Sequence, residues 1–429
     1  MSFANLRTFR QDLYLQLGHS KDALFDLMDA LLTTSKASSF VQISLSPLFR
    51  RQWSSAFKAV EDFCLSSQPI MVWLLGFLSL SESPQVVVLD HTSWPRLWSL
   101  SLKDRTYEHQ ASVLGGKPPV TLGQGYSTLG LVPEAQGSWL LPLRHERITS
   151  FETAVSRGIF QLKRLCRQLK TRVVVLADSE YATAPMLKGL DGLDLDKLMR
   201  LRPNRVLRGA PPPYSGRGRP RIHGERLALR HCPDWAQTPA QEDCLLDPQR
   251  GRVRLRRWTN VHFQQAAHLP FDLICVEMLE TSATGCLWLL WQGQTPWTLE
   301  QLWHLYERRF TIEHWYRFLK QRLHWTLPQW GTPQQAERWS CLMLLLTWQL
   351  WLARPEVSGR GLPWQKPQAQ PSPGRVAQDF SAVLATIGSP APEPKPRGKG
   401  RGCPLGEARR TKRRFPSVKR RAKSRPKVA

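Results

Sequence analysis

Residues 306–320 read YERRFTIEHWYRFLK, and the fold of the chain can be worked out from this stretch. At about 100° per residue, four of its side chains fall within one stripe about 60° wide on a helical wheel: Tyr306, Arg309, Glu313 and Lys320. Apolar residues recur every seven positions beside this stripe, at Leu305, Ile312 and Leu319. Charged residues at helical spacing usually mark a solvated face with weak ion pairs, but the apolar seam predicts a largely buried helix whose stripe faces a cleft. A carboxylate among cations there can hold a metal ion and an anionic polymer together.

The four stripe residues resemble the YREK signature of bacterial insertion-sequence transposases of the DDE class, in residue type and in spacing. The signature reads Tyr, two residues, Arg, three residues, Glu, six residues, Lys. The resemblance implies that Glu313 is the third metal-binding carboxylate of that family. It implies that Tyr306, Arg309 and Lys320 contact DNA phosphates near the transposon end. It also implies two metal-binding aspartates upstream, each at the end of a strand.

Two β-branched runs upstream each end in an aspartate. Residues 85–90 read QVVVLD, and residues 172–178 read RVVVLAD. Apolar runs of this length are typical of strands buried on both faces, and an acid just past the strand end lies where open α/β sheets bind ligands. Either aspartate alone could equally be a turn or helix cap. Together with the helix they predict one catalytic site, the carboxylate triad of Asp90, Asp178 and Glu313.

The surroundings of the two aspartates fit the family unevenly. The triplet at 90–92, Asp-His-Thr, matches the D-x-T form of the first motif. The second motif of the family usually has a small residue before an aromatic one. Here Glu180 takes the place of the small residue, while Tyr181 keeps the aromatic. The second motif therefore matches at Asp178 and Tyr181 and departs at Glu180.

The chemistry of the carboxylate triad predicts the cofactor. Mg²⁺ prefers oxygen ligands and keeps several waters, and two such ions about 3.5–4 Å apart serve in-line phosphoryl transfer. We therefore predict two Mg²⁺ ions at the triad, with Mn²⁺ as a substitute. The eight cysteines contain no C-x-x-C pair, which argues against zinc. Their scatter, without a secretory signal, predicts reduced thiols in the cytosol.

The chain is strongly basic, with 60 Lys and Arg against 34 Asp and Glu and a net charge of +26. Such a charge supplies salt-dependent, sequence-independent affinity for nucleic-acid backbones. Half of it lies in residues 391–429, which hold 15 Lys and Arg and two Asp and Glu without apolar periodicity. This segment is typical of a disordered tail. We expect it to attach non-specifically to DNA, with a merely solubilising extension as the alternative.

Length and pattern predict three segments: a helical N-terminal domain for DNA binding at 1–80, a catalytic domain at 81–354, and a largely disordered tail rich in Pro, Gly, Arg and Lys at 355–429. Within the catalytic domain a strand is predicted at 138–142 and a helix at 151–169. Strand-like patterns at about 200–296 separate the second aspartate from the glutamate. The resemblance explains them as a mostly β insertion in a ribonuclease-H-like α/β core.

An arginine-rich loop lies inside this insertion, where residues 216–224 read GRGRPRIHG. Alternating Gly and Arg disfavour helix and core, so Arg217, Arg219 and Arg221 are predicted to contact DNA phosphates. A flexible solvated loop is the alternative. Of the 18 tryptophans, most are expected in the core, and one or two could stack on an unpaired base.

The resemblance implies a metal-dependent transposase that cleaves DNA and transfers strands. Its partners are double-stranded DNA, as terminal inverted repeats and target, and a second copy of the chain in the DNA complex. A ribonuclease-H-like nuclease or resolvase without strand transfer is one rival, and a non-catalytic DNA-binding derivative is another. The apolar stretches 70–80 and 339–352 fall short of the about 20 residues that span a bilayer. We therefore predict no membrane segment, and a place in the bacterial cytoplasm at the nucleoid.

Overall fold

The computed structural model describes residues 3–79, 84–109, 120–230, 235, 238–248, 250–280, 286–357, 370–396, 411 and 413–418. Within these ranges the helices are α1 (Ala4–Gln16), α2 (Lys21–Thr33), α3 (Phe40–Ile43), α4 (Trp53–Asp62), α5 (Ser67–Leu75), α6 (Ala154–Cys166), α7 (Ala184–Gly189), α8 (Leu299–Glu307), α9 (Thr311–Gln321), α10 (Pro333–Ala353) and α11 (Pro373–Ile387). The strands are β1 (Gln85–Pro95), β2 (Thr106–His109), β3 (Val120–Leu131), β4 (Leu141–Ile148), β5 (Val173–Ala177), β6 (Leu195–Leu201), β7 (Val206–Arg208), β8 (Arg226–Ala228), β9 (Gln241–Asp247), β10 (Gly251–Val261), β11 (Phe271–Met278) and β12 (Leu287–Gln292).

A mixed sheet forms the centre of the fold, and five of its strands run in the order β4-β3-β1-β5-β6. Strands β1, β5 and β6 are parallel, while β3 is antiparallel to both β1 and β4. The two apolar runs form β1 and β5, where Val87 pairs with Val175 and Leu89 with Ala177. All four side chains are buried, as the sequence predicts. This mixed α/β sheet is consistent with a ribonuclease-H-like fold.

Four further strands continue the same sheet beyond β6, in the order β12-β11-β10-β9. They come from the segment in which the sequence predicts strands between the second aspartate and the glutamate. Strand β12 joins this extension to the core by antiparallel pairing with β6, for example of Leu290 with Met199. Strands β7 and β8 form a separate hairpin. Backbone hydrogen bonds between Arg208 and His262 tie that hairpin to the end of β10.

The strand predicted at 138–142 is displaced along the chain. Strand β4 contains the charged residues that the sequence placed beside it. Arg144 and Arg147 are buried there because each has carboxylate partners, such as Glu146 at 2.6 Å from Arg144. Paired charges can enter a core that would exclude single ones. Strand β3, which pairs with β1, and strand β2, which pairs with β3, were not predicted.

The N-terminal helices share one hydrophobic core with the C-terminal helices. Helix α1 packs on α10, and α2 packs on α11. A buried ion pair fixes this contact: Arg10 of α1 donates to Asp29 of α2 at 2.8 Å and to Gln349 of α10 at 2.6 Å. The helices between residues 4 and 75 therefore pack against α10 and α11 as well as against one another.

Helix α11 corrects the prediction that residues 355–429 form a largely disordered tail. Its buried residues have the spacing of an amphipathic helix: Val376, Ala377, Phe380, Val383 and Leu384. Beyond it Ala391 is buried, and Glu393 pairs with Arg50 at 2.9 Å. Most of the basic segment 391–429 lies outside the described residues.

The stretch at 306–320 is not one regular helix. Helix α8 ends at Glu307, a 3-10 turn covers Arg308–Phe310, and α9 begins at Thr311. The backbone stays right-handed and helical through the turn, with φ −62° and ψ −18° at Arg308. Thr311 is buried. The four stripe residues therefore do not lie on one ideal α-helix, because the backbone winds more tightly at Arg308–Phe310.

Helix α10 has 21 residues and passes through the middle of the helical layer. It packs on β4 and on α1, α2, α4 and α11, which explains why it is apolar on most sides. Among the helices in the described ranges, none is long and apolar enough to cross a bilayer.

Candidate catalytic site

Asp90 and Asp178 lie on neighbouring strands at the point where β5 ends. The parallel register pairs Leu89 with Ala177, so the next residue on each strand is an aspartate. Neighbouring strands are about 4.8 Å apart, which brings the two aspartates into one site. The sequence predicted Asp90 at the end of its strand, and this is wrong. Strand β1 continues because β3 keeps pairing with it, with Thr128 opposite Asp90.

The Asp90 carboxylate is 16% exposed and accepts a hydrogen bond from the His91 backbone N–H at 2.7 Å. Burial raises the pKa of Asp90 to about 7; His91 and Arg309 oppose this shift, and the negative charges of Asp178 and Glu313 increase it. The three acids and the guanidinium therefore share one electrostatic environment. A bound cation would favour the ionised form of Asp90 again.

Asp178 has a carboxylate oxygen without a partner. Its Oδ1 is buried and accepts no hydrogen bond from any residue that the structure describes. The following Glu180 is partly exposed and pairs with Arg202 at 2.6 Å on the surface, so it leaves the site free. Tyr181 is buried, and its ring lies edge-on to His91. The departure from the family motif therefore does not crowd Asp178.

Glu313 lies in the first turn of α9, and its side chain is 50% exposed. The Nη2 atom of Arg309 donates to Glu313 Oε1 at 2.7 Å. Arg309 is buried, with its guanidinium 4.6 Å from the centre of the Phe310 ring. Burial lowers the pKa of Arg309, but Tyr306, Glu313 and Asp90 together outweigh it and raise the pKa. Arg309 is therefore a permanent cation beside the triad.

Tyr306 and Lys320 lie at the two ends of the stripe. Tyr306 is buried, and burial raises its pKa to about 12, with the charge of Asp178 adding to the shift. Lys320 donates from Nζ to Thr92 Oγ1 at 2.7 Å. Burial lowers the pKa of Lys320, and the charge of Asp90 opposes this. The charge of Asp178 therefore acts on Tyr306 at one end of the stripe, and the charge of Asp90 acts on Lys320 at the other end.

A buried polar chain behind Asp90 was not predicted. The Tyr316 hydroxyl donates to Thr128 Oγ1 at 2.9 Å, and Thr128 Oγ1 lies 2.8 Å from His145 Nδ1. Burial raises the pKa of Tyr316, and the nearby charge of Asp90 raises it further. Burial lowers the pKa of His145 to about 3, so this imidazole is neutral. The sequence offered one signal for this chain of hydrogen bonds. Tyr316 lies in an apolar seam, and the hydroxyl of a buried tyrosine needs a hydrogen-bond partner.

The structure does not join the arginine-rich loop to the triad. Arg217, Arg219 and Arg221 are exposed on the segment between β7 and β8. No interaction within the described ranges links them to the three carboxylates. The base of the loop is closed, because the Gly224 N–H donates to the Gly209 carbonyl at 3.1 Å. This segment is an exposed basic surface separate from the catalytic site.

The oxygen-only donors of the triad fit a hard divalent ion. Their oxygens are spaced more widely than those of Asp247, His304 and Glu307, the group in the described part of the chain whose ligand atoms all lie within 4.8 Å of one another. At that group Arg250 already pairs with Glu307 at 3.0 Å, so the protein supplies a cation of its own. The wider triad suits two ions, since ligands of different ions need not touch.

The mixed α/β sheet, with two aspartates on neighbouring strands, is consistent with an enzyme of the nuclease type. Residues 12–268, well over half of the chain, match a family described as DDE superfamily endonuclease. The chain belongs to this family. The matched range contains Asp90 and Asp178 and ends before the helix with Glu313. Endonucleases of this superfamily act on DNA and use divalent metal ions. No curated protein matches the chain.

Proposed function

We propose that this protein is the DDE transposase of a bacterial insertion sequence, which cleaves DNA at the transposon ends and transfers those ends to target DNA. One observation carries the proposal: the buried, unpartnered Oδ1 of Asp178 lies beside Asp90, whose pKa is raised to about 7. A buried carboxylate oxygen without a donor, beside a second carboxylate, favours a bound cation. The third acid, Glu313, acts on the same electrostatic environment from a helix with the YREK spacing.

Asp90, Asp178 and Glu313 would hold two Mg²⁺ ions, or Mn²⁺ in their place. When bound, divalent ions lower the pKa of an attacking hydroxyl and stabilise the leaving oxygen of a phosphodiester. The hydroxyl belongs first to water and then to the DNA 3′ end. Of the three acids, Glu313 accepts from Arg309 at Oε1 only, so its second oxygen could serve as a ligand, and its 50% exposure gives the side chain room to turn.

Arg309, Lys320 and Tyr306 would bind the DNA backbone around the scissile phosphate. A guanidinium offers two parallel N–H donors to phosphate, and the buried Arg309 is already fixed in place. Lys320 supplies a point charge held by Thr92. Because this site is sheltered from solvent, its charge interactions with phosphate are stronger than on an open surface. These three residues position DNA and leave the acids for metal.

The wider DNA interface would be built from three parts of the chain outside the triad: the N-terminal helices within 1–80, the loop arginines Arg217, Arg219 and Arg221, and the C-terminal basic segment. The N-terminal helices would recognise terminal inverted repeats. The loop and the C-terminal segment would track phosphates without reading sequence. Two copies of the chain would act together in the DNA complex, at the bacterial nucleoid.

The test is a strand-transfer assay with DNA ends from the flanks of the gene, in Mg²⁺. We expect Glu313→Gln and Asp178→Asn to abolish cleavage and joining while DNA binding stays within about twofold. Glu300→Gln is the matched control, since this exposed acid of α8 lies outside the triad. Cleavage that persists in Glu313→Gln would refute the assignment of the helix stripe.

The rival functions give different outcomes in the same assay. Cleavage by the wild-type chain without any joined product would identify a nuclease or resolvase. DNA binding without cleavage in either Mg²⁺ or Mn²⁺ would identify a non-catalytic DNA-binding derivative. Joined products that depend on all three acids support the transposase.

A further inference from the structure

A surface depression, separate from the catalytic site, lies beyond the end of β1. Its lining includes Arg96, Trp98, Leu100, Gln329, Trp330 and Arg414, and its volume is about 660 Å³. We name it the Trp98 depression. Arg96 follows the last residue of β1 and lies six positions after Asp90, and a strand rises about 3.3 Å per residue. The depression is therefore about 20 Å from the catalytic site, or roughly six steps of duplex DNA at about 3.4 Å each.

Trp98 is 88% exposed at the rim of this depression. Its neighbours Leu97 and Leu100 are 45% and 48% exposed. An indole held out in water is unusual in a chain that buries most of its tryptophans. It presents a flat aromatic face of the kind on which unpaired bases stack.

Arg96 lies beneath the same depression, and one of its guanidinium nitrogens has no hydrogen-bond partner. It is 3% exposed, and its Nη1 is buried without a hydrogen-bond partner. Its other nitrogens donate to Ser99 Oγ at 3.2 Å and to the Trp330 carbonyl at 2.6 Å. No carboxylate of the described chain pairs with it. A buried guanidinium without a counterion favours an anion nearby.

The electrostatic surroundings of Arg96 strengthen this argument. Burial lowers the pKa of Arg96 to about 10; Tyr126 opposes the shift and the second buried cation, Arg105, adds to it. Arg105 donates to the carbonyls of Arg96 and Leu97, at 3.3 and 2.7 Å. Both arginines are buried, and an incoming anion would offset the unfavourable charge interaction between them.

A short piece of the basic C-terminal segment borders the depression. The Phe415 N–H donates to the Leu100 carbonyl at 2.9 Å, and the Val418 N–H donates to the Arg105 carbonyl at 2.8 Å. These bonds place Arg414 in the lining. Among the described residues that line the depression, none is acidic. Its charge is therefore complementary to a polyanion.

The Trp98 depression shares lining residues with a groove that includes Lys320. Phe57 and Gln329 line it and also line a neighbouring groove of about 1080 Å³. That groove contains Lys36, Lys320 and no acid among the described residues of its lining. Lys320 is the stripe residue beside Thr92. The groove beside Lys320 and the Trp98 depression therefore share two lining residues, and neither lining has an acid among its described residues.

We propose that the Trp98 depression binds an unpaired DNA strand, with one base stacked on Trp98 and a phosphate held by Arg414 above Arg96. The proposal rests on the proposed function, since DNA is the polyanion of that site. An unpaired strand fits better than a duplex because only an unpaired base exposes a face to the indole. The depression would thus receive an unpaired strand about 20 Å away from the scissile phosphate.

The test measures binding of the full chain in EDTA, by fluorescence anisotropy, to a labelled 12-nucleotide single strand and to the matched duplex. We expect Trp98→Ala to weaken single-strand binding about tenfold, within the range for loss of a stacked base, and duplex binding less than twofold. Trp98→Phe should restore most of the affinity. Arg414→Gln should make the salt slope for the single strand shallower by about 0.7.

Two controls isolate the site. Phe151→Ala removes an equally exposed aromatic side chain elsewhere, at 87% exposure, and should leave binding unchanged. Arg413→Gln removes a charge next to Arg414 whose guanidinium instead lies over the Phe415 ring, and it should have the smaller effect. Unchanged single-strand affinity in Trp98→Ala, or equal losses for single strand and duplex, would overturn the proposal.

The two proposals can fail separately. If the wild-type chain shows no metal-dependent cleavage but its single-strand affinity depends on Trp98, the proposed function falls and the strand site stands. If cleavage is normal and Trp98→Ala binds like wild type, the strand site falls alone.

Discussion

Replacing Asp90 with Asn should stabilise the metal-free protein and remove its response to divalent ions. The wild-type carboxylate is 16% exposed, and burial, together with Asp178 and Glu313, raises its pKa from 3.8 to about 7. Asn has nearly the same shape, and its Oδ1 can still accept the His91 N–H. The substitution therefore removes a charge from a place where the fold disfavours it, with little change in packing.

The magnitude follows from the pKa shift. The folded state binds the Asp90 proton more tightly than the unfolded state, so the contribution of this group is most favourable below pH 3.8 and is lost as pH rises through about 7. At 1.36 kcal/mol per pKa unit the loss amounts to about 4 kcal/mol above pH 7. At pH 5 only about 2 kcal/mol of it has been lost.

Urea unfolding at pH 8 and pH 5 in EDTA measures this difference. Asp90→Asn should exceed wild type in unfolding free energy by up to about 4 kcal/mol at pH 8 and by about half of that at pH 5. Excess Mg²⁺ should stabilise wild type but not the variant. Asp194→Asn is the control, because its carboxylate is 69% exposed. A variant no more stable than wild type at pH 8, or a difference that ignores pH, would refute the reasoning.

Three further predictions address the DNA interface and the core. Lys320→Ala should weaken binding of transposon-end DNA and make its salt slope shallower by about 0.9, measured by anisotropy at several salt concentrations; an unchanged slope would remove Lys320 from the phosphate contacts. The triple change of Arg217, Arg219 and Arg221 to Ala should lower the slope by up to about 2.7 while cleavage at saturating DNA persists; lost cleavage would instead make the loop part of the catalytic site. Phe380→Ala should cost about 3–5 kcal/mol of unfolding free energy in urea; an unaffected Phe380→Ala would mean that α11 does not belong to the core.

The neighbouring positions of Asp90 and Asp178 were accessible from the sequence because two short apolar runs can hardly be anything but buried strands. Continuous β-branched residues specify the strand, and parallel strands bring their matching ends together. The length of β1 was not accessible, since it depends on pairing with β3, which lies far along the chain. Local sequence therefore placed the acid, and tertiary pairing decided that the strand runs past it.

The structural features that the sequence analysis missed have a common cause. Local composition does not show contacts between residues that are far apart in the chain. Helix α11 lies in a Pro- and Gly-rich segment, so its apolar stripe was diluted although Phe380 and Leu384 are buried. In β4 the charges of Arg144 and Arg147 disguised a buried strand, because partners such as Gln68 for Arg144 and Glu337 for Arg147 are distant in sequence. The 3-10 turn at Arg308–Phe310 likewise leaves no mark in the residue pattern. Each feature depends on contacts that form only in the folded chain.

The extension of the sheet beyond β6 has a geometric consequence for any DNA that contacts the whole protein. Five strand-to-strand steps separate β5, which precedes Asp178, from β9 at the outer edge. Neighbouring strands rotate by about 20–25° per step in one sense, so the outer strands are turned by about 100–125° relative to β5. Because the sheet is continuously hydrogen-bonded, this rotation is a fixed property of the chain rather than a hinge. A straight duplex cannot follow both ends of such a surface, so the DNA must curve or two separate segments must be engaged.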